Sequence, residues 1–206
     1  MNFDLVAPYY DRLAALVFGP AIKRCQTDVF IEMIPEGKVL ILGGGTGWII
    51  PYFRFDKIQK LTYVESSFNM LKLAKEKNSN ISPAVIHFIH GSEKSIPNEK
   101  YDCIISNFVM DCFSEKRLEK IMILLRSHLN DGGRWYCSEF KQNPISYRTF
   151  WQRYIVQSLM RFFFKITTRL ESDSLYDFDL YFLQNDLKEI YSKDYCGGFI
   201  VTKVWQ

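Results

Sequence analysis

No run of about 18 apolar residues occurs in the 206-residue chain, so an ordinary membrane-spanning helix is not expected. The opening Met1-Asn2-Phe3-Asp4 has neither a basic start nor an apolar stretch leading to small residues, which argues against a secretory leader. The five cysteines, Cys25, Cys103, Cys112, Cys137 and Cys196, are odd in number and widely spaced, with no CxxC pair or Cys/His ligand spacing. No metal site is expected, and a reduced, cytoplasmic setting fits. Cys103 and Cys137 lie inside apolar runs and read as small buried thiols. Net charge is small as well. A net +3 is too little for nucleic acid, whose footprint needs basic residues clustered along one face.

What is present is ordinary for a folded domain: 48% apolar and 24% charged residues, with aromatics somewhat high at 16%. Disorder and low complexity are excluded on that composition. The length suits one α/β domain, able to bury roughly 70% of the surface its unfolded chain exposes. No internal repeat and no linker rich in Gly, Pro or Ser divides it. Residues 1–34 read as an N-terminal helical cap, whose second half places Ile22, Cys25, Val29, Phe30 and Met33 at helical spacing until Pro35-Glu36-Gly37.

Continuous apolar runs follow at 38–42, 60–64, 84–89, 101–106 and 134–140, with helical patterns between them at 68–77 and 115–129. Strands apolar on both faces, alternating with helices, predict a mostly parallel sheet with helices on both sides. The last residues, 188–196 and 199–206 around Gly197-Gly198, predict a closing antiparallel hairpin.

The run Lys38 to Leu42 ends in Gly43-Gly44-Gly45-Thr46-Gly47. Glycines between a strand and a helix let the backbone turn at positive φ and approach a ligand without a Cβ in the way. A dinucleotide fingerprint would need glycine at position 48, which is Trp48, and no G-K-[ST] follows for a phosphate-binding Walker loop. Glu65 closes the next strand twenty residues after Gly45, where a carboxylate can accept both hydroxyls of a ribose.

At this point the chain resembles the class I S-adenosylmethionine-dependent methyltransferases. Val39 to Gly47 is similar to that family's V-L-D-x-G-x-G-x-G, and Val64-Glu65-Ser66-Ser67-Phe68-Asn69-Met70-Leu71 to its V-D-x-S-x-x-M-L. His90-Gly91-Ser92-Glu93-Lys94-Ser95-Ile96-Pro97 resembles the segment that lines the adenine, and Leu129 to Arg134 resembles L-x-P-G-G-R. The opening Phe3 to Leu13 is similar to the F-D-x-x-A-x-x-Y-D-x-L start of the ubiquinone and menaquinone C-methyltransferase branch. The resemblance implies a Rossmann-like sheet and S-adenosylmethionine as cofactor. It implies Gly43, Gly45, Gly47, Glu65, Ser66, Ser92, Glu93, Asn107, Phe108 and Tyr10 as cofactor contacts. A small, lipophilic or aromatic substrate follows from the same likeness.

Two positions depart from the pattern. Ile41 stands where the family has an acid, and Ser92 where it has the acid that meets the adenine amino group. They leave a second reading open, a methyltransferase-like module for binding or assembly without turnover. Methyl transfer from a sulfonium needs alignment rather than a nucleophilic side chain, so the lack of a triad or metal cluster is consistent with catalysis. Asp111, in the family's active-site region, is the candidate general base; its alternative is to lead into a helix capped by Ser114. His87 and His128 read as structural, and His90 lies beside the presumed adenine segment.

From Phe140 to Leu170 six basic residues and no acidic one accompany Phe150, Trp151, Tyr154 and Phe162-Phe163-Phe164. A long basic aromatic helix over 144–170 suits packing on the sheet, contact with an anionic membrane surface, or a homodimer.

Overall fold

The apolar runs form the interior of a seven-stranded sheet in the order β3-β2-β1-β4-β5-β7-β6. A computed structural model describes residues 4, 7–82, 84–141 and 177–206. The helix expected over 144–170 lies outside the described residues, and with it Phe162 to Phe164. The strands are β1 (Gly37–Leu42), β2 (Ile58–Glu65), β3 (Ile86–His90), β4 (Tyr101–Ile105), β5 (Leu129–Phe140), β6 (Glu189–Tyr195) and β7 (Ile200–Trp205). The first five pair parallel and β7 runs antiparallel to both β5 and β6, as the hairpin reading requires.

The helices are α1 (Ala7–Phe18), α2 (Ala21–Thr27), α3 (Val29–Glu32), α4 (Phe68–Lys77), α5 (Glu115–His128) and α6 (Phe178–Gln184). Side chains alternate across each strand, so each sheet face has its own apolar core. Leu40, Leu42, Ile104 and Trp135 meet Leu118, Leu125 and Phe182 on one face. Val39, Ile41, Tyr63 and Tyr136 meet Val29, Phe30 and Ala74 on the other.

Three local features differ from the sequence reading. The helical pattern of 21–34 is divided at Asp28, where the Ile31 amide bonds back to the Asp28 carbonyl at 3.1 Å and tightens the turn. Asp28 is held there from β6, by Lys193 at 3.6 Å and by the Tyr195 hydroxyl at 3.3 Å. Strand β5 begins at Leu129, five residues before Arg134, because Leu129 already pairs with Tyr101 ahead of an irregularity in the register. Ser114 does stand at the N-cap of α5, but its hydroxyl makes no cap bond; its carbonyl accepts the Arg117 and Leu118 amides at 2.9 and 2.8 Å.

Trp135 is the largest fully buried side chain among the described residues. Its Nε1 donates to Ser106 Oγ at 2.7 Å, and its ring meets Phe182 edge-on with centroids 4.9 Å apart. Trp135→Ala is expected to lower unfolding free energy by about 3–5 kcal/mol, read by urea denaturation. A loss below about 1 kcal/mol would show that the β5–α6 packing does not depend on it.

Candidate active site

The parallel strands bring their C-terminal ends to one edge, and the glycine loop, the Ser66 turn, the Gly91 loop and the Asn107 turn all leave from that edge. Ligands bind at such edges because the loops diverge there and leave a crevice. A cavity of ≈ 290 Å³ lies between these loops and the N-terminal helices.

The glycine loop is shaped from beneath. Tyr63, fully buried, donates its hydroxyl to the Gly45 carbonyl at 3.0 Å. A Cβ on Gly44 would collide with the Tyr63 ring. Gly45 has φ +63, and a Cβ there would meet only Met70 Sδ, at 3.9 Å. That glycine therefore leaves the cavity floor open, which is what a ligand approaching the backbone needs.

Glu65 is the centre of the site, 4% exposed and lining the cavity. Its Oε2 accepts the Gly45 amide at 2.8 Å and its Oε1 accepts the Ser67 amide at 2.7 Å. Burial raises its pKa, and the backbone donors from Ser67 and Gly45 pull it back down. Oε1 also accepts the Ser66 hydroxyl at 3.4 Å, so the acceptor capacity left for a ligand hydroxyl lies on Oε2.

Of the residues singled out in the sequence, Tyr10, Gly43, Gly45, Glu65, Ser66, Ser92, Glu93, Asn107 and Phe108 all line this cavity. Gly47 does not: it faces α4, where a Cβ would press on Ala74. Asp111 also lies off the lining, buried in a short 3-10 turn, Met110–Cys112. Burial raises its pKa, and Cys112 Sγ donates to its Oδ1 at 3.5 Å. Phe108 has φ +53, a costly conformation for a bulky residue and one that concentrates at functional sites. Its ring is set against Phe140, with centroids 4.7 Å apart. Asn107 accepts the Ser138 amide at 2.9 Å and donates to Gln26 at 3.2 Å, tying α2 to the end of β4. His128 bonds the Glu99 carbonyl at 2.8 Å and His90 the Ser66 carbonyl at 3.0 Å.

Two lining residues carry no local sequence signal, Gln26 and Arg117, and Asp11, inside the Phe3 to Leu13 likeness, is not among the expected contacts. Arg117 Nη2 reaches both oxygens of Glu93, at 3.1 and 3.2 Å, while its guanidinium sits 4.8 Å from the Phe113 ring centroid. The separation of 24 residues between the partners hides the pair from any motif. Asp11 brings a carboxylate from α1 to the glycine loop, accepting the Thr46 hydroxyl at 2.8 Å and pairing with Lys77 of α4 at 2.6 Å. Ile41, by contrast, is packed in the apolar core. Asp4 extends the same seam, accepting from the Ser67 hydroxyl at 2.6 Å and the Asn69 amide at 3.0 Å. No helix among the described residues is long and apolar enough to cross a membrane.

Strand order and cavity together define a Rossmann-like fold of the class I methyltransferase type. A family model described as "Methyltransferase domain" matches residues 39–133, from β1 into the start of β5. DhpI, solved in complex with SAH, superposes with a TM-score of 0.72 at 12% identity, covering 99% of this chain and 92% of that one. A SAM-dependent methyltransferase from Aquifex aeolicus gives 0.64 at 15% identity, covering 95% and 96%. An S-adenosylmethionine-dependent methyltransferase from Clostridium acetobutylicum gives 0.63 at 14%, covering 96% and 98%. At these identities the likeness is one of fold.

Because Asp11 is the bond between α1 and the glycine loop, Thr46→Val is expected to cost about 1 kcal/mol of stability and to speed hydrogen exchange across α1 more than across the sheet. Uniform exchange changes would show that Thr46 does not anchor the helix.

Proposed function

We propose that this chain binds S-adenosylmethionine in the cavity beside the glycine loop and transfers its methyl group to a small, lipophilic or aromatic acceptor. The observation that carries the reading is the pairing of an open Gly45 floor with a buried Glu65 carboxylate at the neighbouring strand end. The donor set suits this nucleoside: a carboxylate for the ribose hydroxyls, and Ser92 and Glu93 beside Phe113 for a polar, planar base. Asp11 supplies the carboxylate that position 41 lacks, reaching the loop from α1 instead of from β1. The likeness of Phe3 to Leu13 to the ubiquinone and menaquinone branch supports an acceptor of that lipophilic kind.

When bound, the cofactor supplies a methyl group on a sulfonium. The residues of this chain have the remaining work: to hold ribose and base, to exclude water, and to align the acceptor with the methyl group. Tyr10, on α1, and Phe108, after β4, both line the cavity and suit the last two tasks. Asp111 is buried behind Cys112, so in this reading it positions the 3-10 turn and leaves the acceptor's proton to other groups.

Calorimetry decides the reading. Saturable binding of S-adenosylmethionine and S-adenosylhomocysteine is expected, weakened roughly tenfold to a hundredfold by Glu65→Ala and abolished by Gly45→Val, whose side chain would occupy the floor. No binding at millimolar ligand sinks the proposal.

The acid also sets a pH dependence. Protonation removes acceptor capacity from Glu65, whose pKa is raised by burial, so affinity is expected to fall as pH drops through a point above the usual value of about 4.3. Glu65→Gln should bind weakly with no such dependence; an unchanged profile in that variant would assign the titration elsewhere.

A further inference from the structure

The loop after β3 and the start of α5 contribute Gly91, Ser92, Glu93, Phe113 and Arg117 to the lining of the cavity beside the glycine loop. The backbone closes tightly there: a Cβ on Gly91 would strike Ser95, whose amide bonds back to the Ser92 carbonyl at 2.9 Å. That turn gives the two neighbouring polar side chains different work. Ser92 caps the 3-10 turn Glu93–Ser95, its hydroxyl accepting the Lys94 amide at 3.4 Å. Glu93 lines the cavity and is only 7% exposed.

A carboxylate so placed is costly without a partner. Arg117 supplies one from the first turn of α5, its Nη2 donating to Oε1 at 3.2 Å and to Oε2 at 3.1 Å. The guanidinium is itself set over the Phe113 ring, 4.8 Å from the centroid, an attraction that steadies a planar cation. One nitrogen thus serves both oxygens, and each oxygen keeps acceptor capacity. A carboxylate offers acceptors only, so it takes an amino group and repels a carbonyl oxygen.

We propose that Arg117 is a positioning residue: by holding the Glu93 carboxylate at the cavity wall, it makes the pair select a 6-aminopurine nucleoside over its 6-oxo counterpart. This selectivity rests on the S-adenosylmethionine reading, with Glu93 as the acid that meets the base and Ser92 spent on its cap. A purely structural role for Arg117 would weaken every ligand of the cavity alike. Positioning one acceptor weakens only the ligand that donates to it.

The test is calorimetry on the full chain with S-adenosylhomocysteine and S-inosylhomocysteine, in which a carbonyl replaces the amino group at position 6 of the purine. The unmodified protein is expected to bind the adenosyl compound roughly tenfold to a hundredfold more tightly. Arg117→Met keeps an unbranched side chain on Phe113 and removes the cation. It should bring the adenosyl compound down toward the affinity of the inosyl compound and leave the latter nearly unchanged, and Arg117→Lys should restore part of the preference. Glu93→Gln, which can present either an oxygen or an N–H, should level the two ligands. Equal affinities in the unmodified protein overturn the proposal and need no variant. Equal weakening of both ligands by Arg117→Met overturns it too, as does an undiminished preference in either Arg117→Met or Glu93→Gln. Binding of neither compound to the unmodified protein would overturn the S-adenosylmethionine reading as well, whereas binding without discrimination overturns the selectivity alone.

Discussion

The hydrogen bond from the Gly45 amide to Glu65 joins the ends of two adjacent parallel strands, and the cavity exists in its present shape because of it. Parallel pairing of β1 with β2 puts Leu42 opposite Val64, so the residues that follow, a glycine loop and an acid, must emerge side by side. The amide at 2.8 Å then fixes how far apart they stand. A carboxylate that is nearly fully buried would be a liability in most of a protein. Here two backbone donors compensate it, and its remaining acceptor capacity faces the cavity. The same bond explains why Tyr63 is placed under the loop: with the Gly45 amide pointing to Glu65, its carbonyl is left for the Tyr63 hydroxyl.

Around this clamp, charge is supplied by elements far apart in sequence. Ile41 belongs to the apolar core, and the carboxylate at the loop comes from Asp11, which at the same time binds Lys77 and so pins α1 over α4. Glu93 is matched by Arg117 from α5. Each pair couples a wall of the cavity to a helix that would otherwise contact it only through packing. Exposed ion pairs contribute little to stability, so the value of these contacts lies in placement: they determine where α1 and α5 sit relative to the loop. Glu139 is a different case, since one of its buried oxygens has no hydrogen-bond partner.

Much of the architecture was legible because it follows from periodicity. Five unbroken apolar runs separated by helical patterns allow little but a covered parallel sheet, and the Gly197-Gly198 pair between two strand-like runs allows little but a hairpin. The boundaries that were misread have local causes that periodicity does not encode. A single i to i+3 bond divides α2 from α3, and one paired residue, Leu129, starts β5 early. Gly47 illustrates the limit well. Its place in the G-x-G-x-G spacing gives it the same standing as Gly45, yet one glycine faces the cavity and the other the flank of α4.

The order of residues alone therefore determined the sheet, the glycine loop and the acid at the end of β2, because strands, turns and their ends are set by interactions between near neighbours. Only the tertiary structure decided that Asp11 reaches the glycine loop from α1 while Ile41 packs in the core, that Arg117 meets Glu93, that Asp111 lies off the cavity lining, and that Glu139 is left with an unpartnered oxygen. Such outcomes depend on polar groups brought together from far apart in the chain, 24 and 35 residues in the Arg117–Glu93 and Thr46–Asp11 pairs. Coulombic and hydrogen-bond energies depend on distance and burial in the folded chain, and neither quantity exists until the sheet has formed.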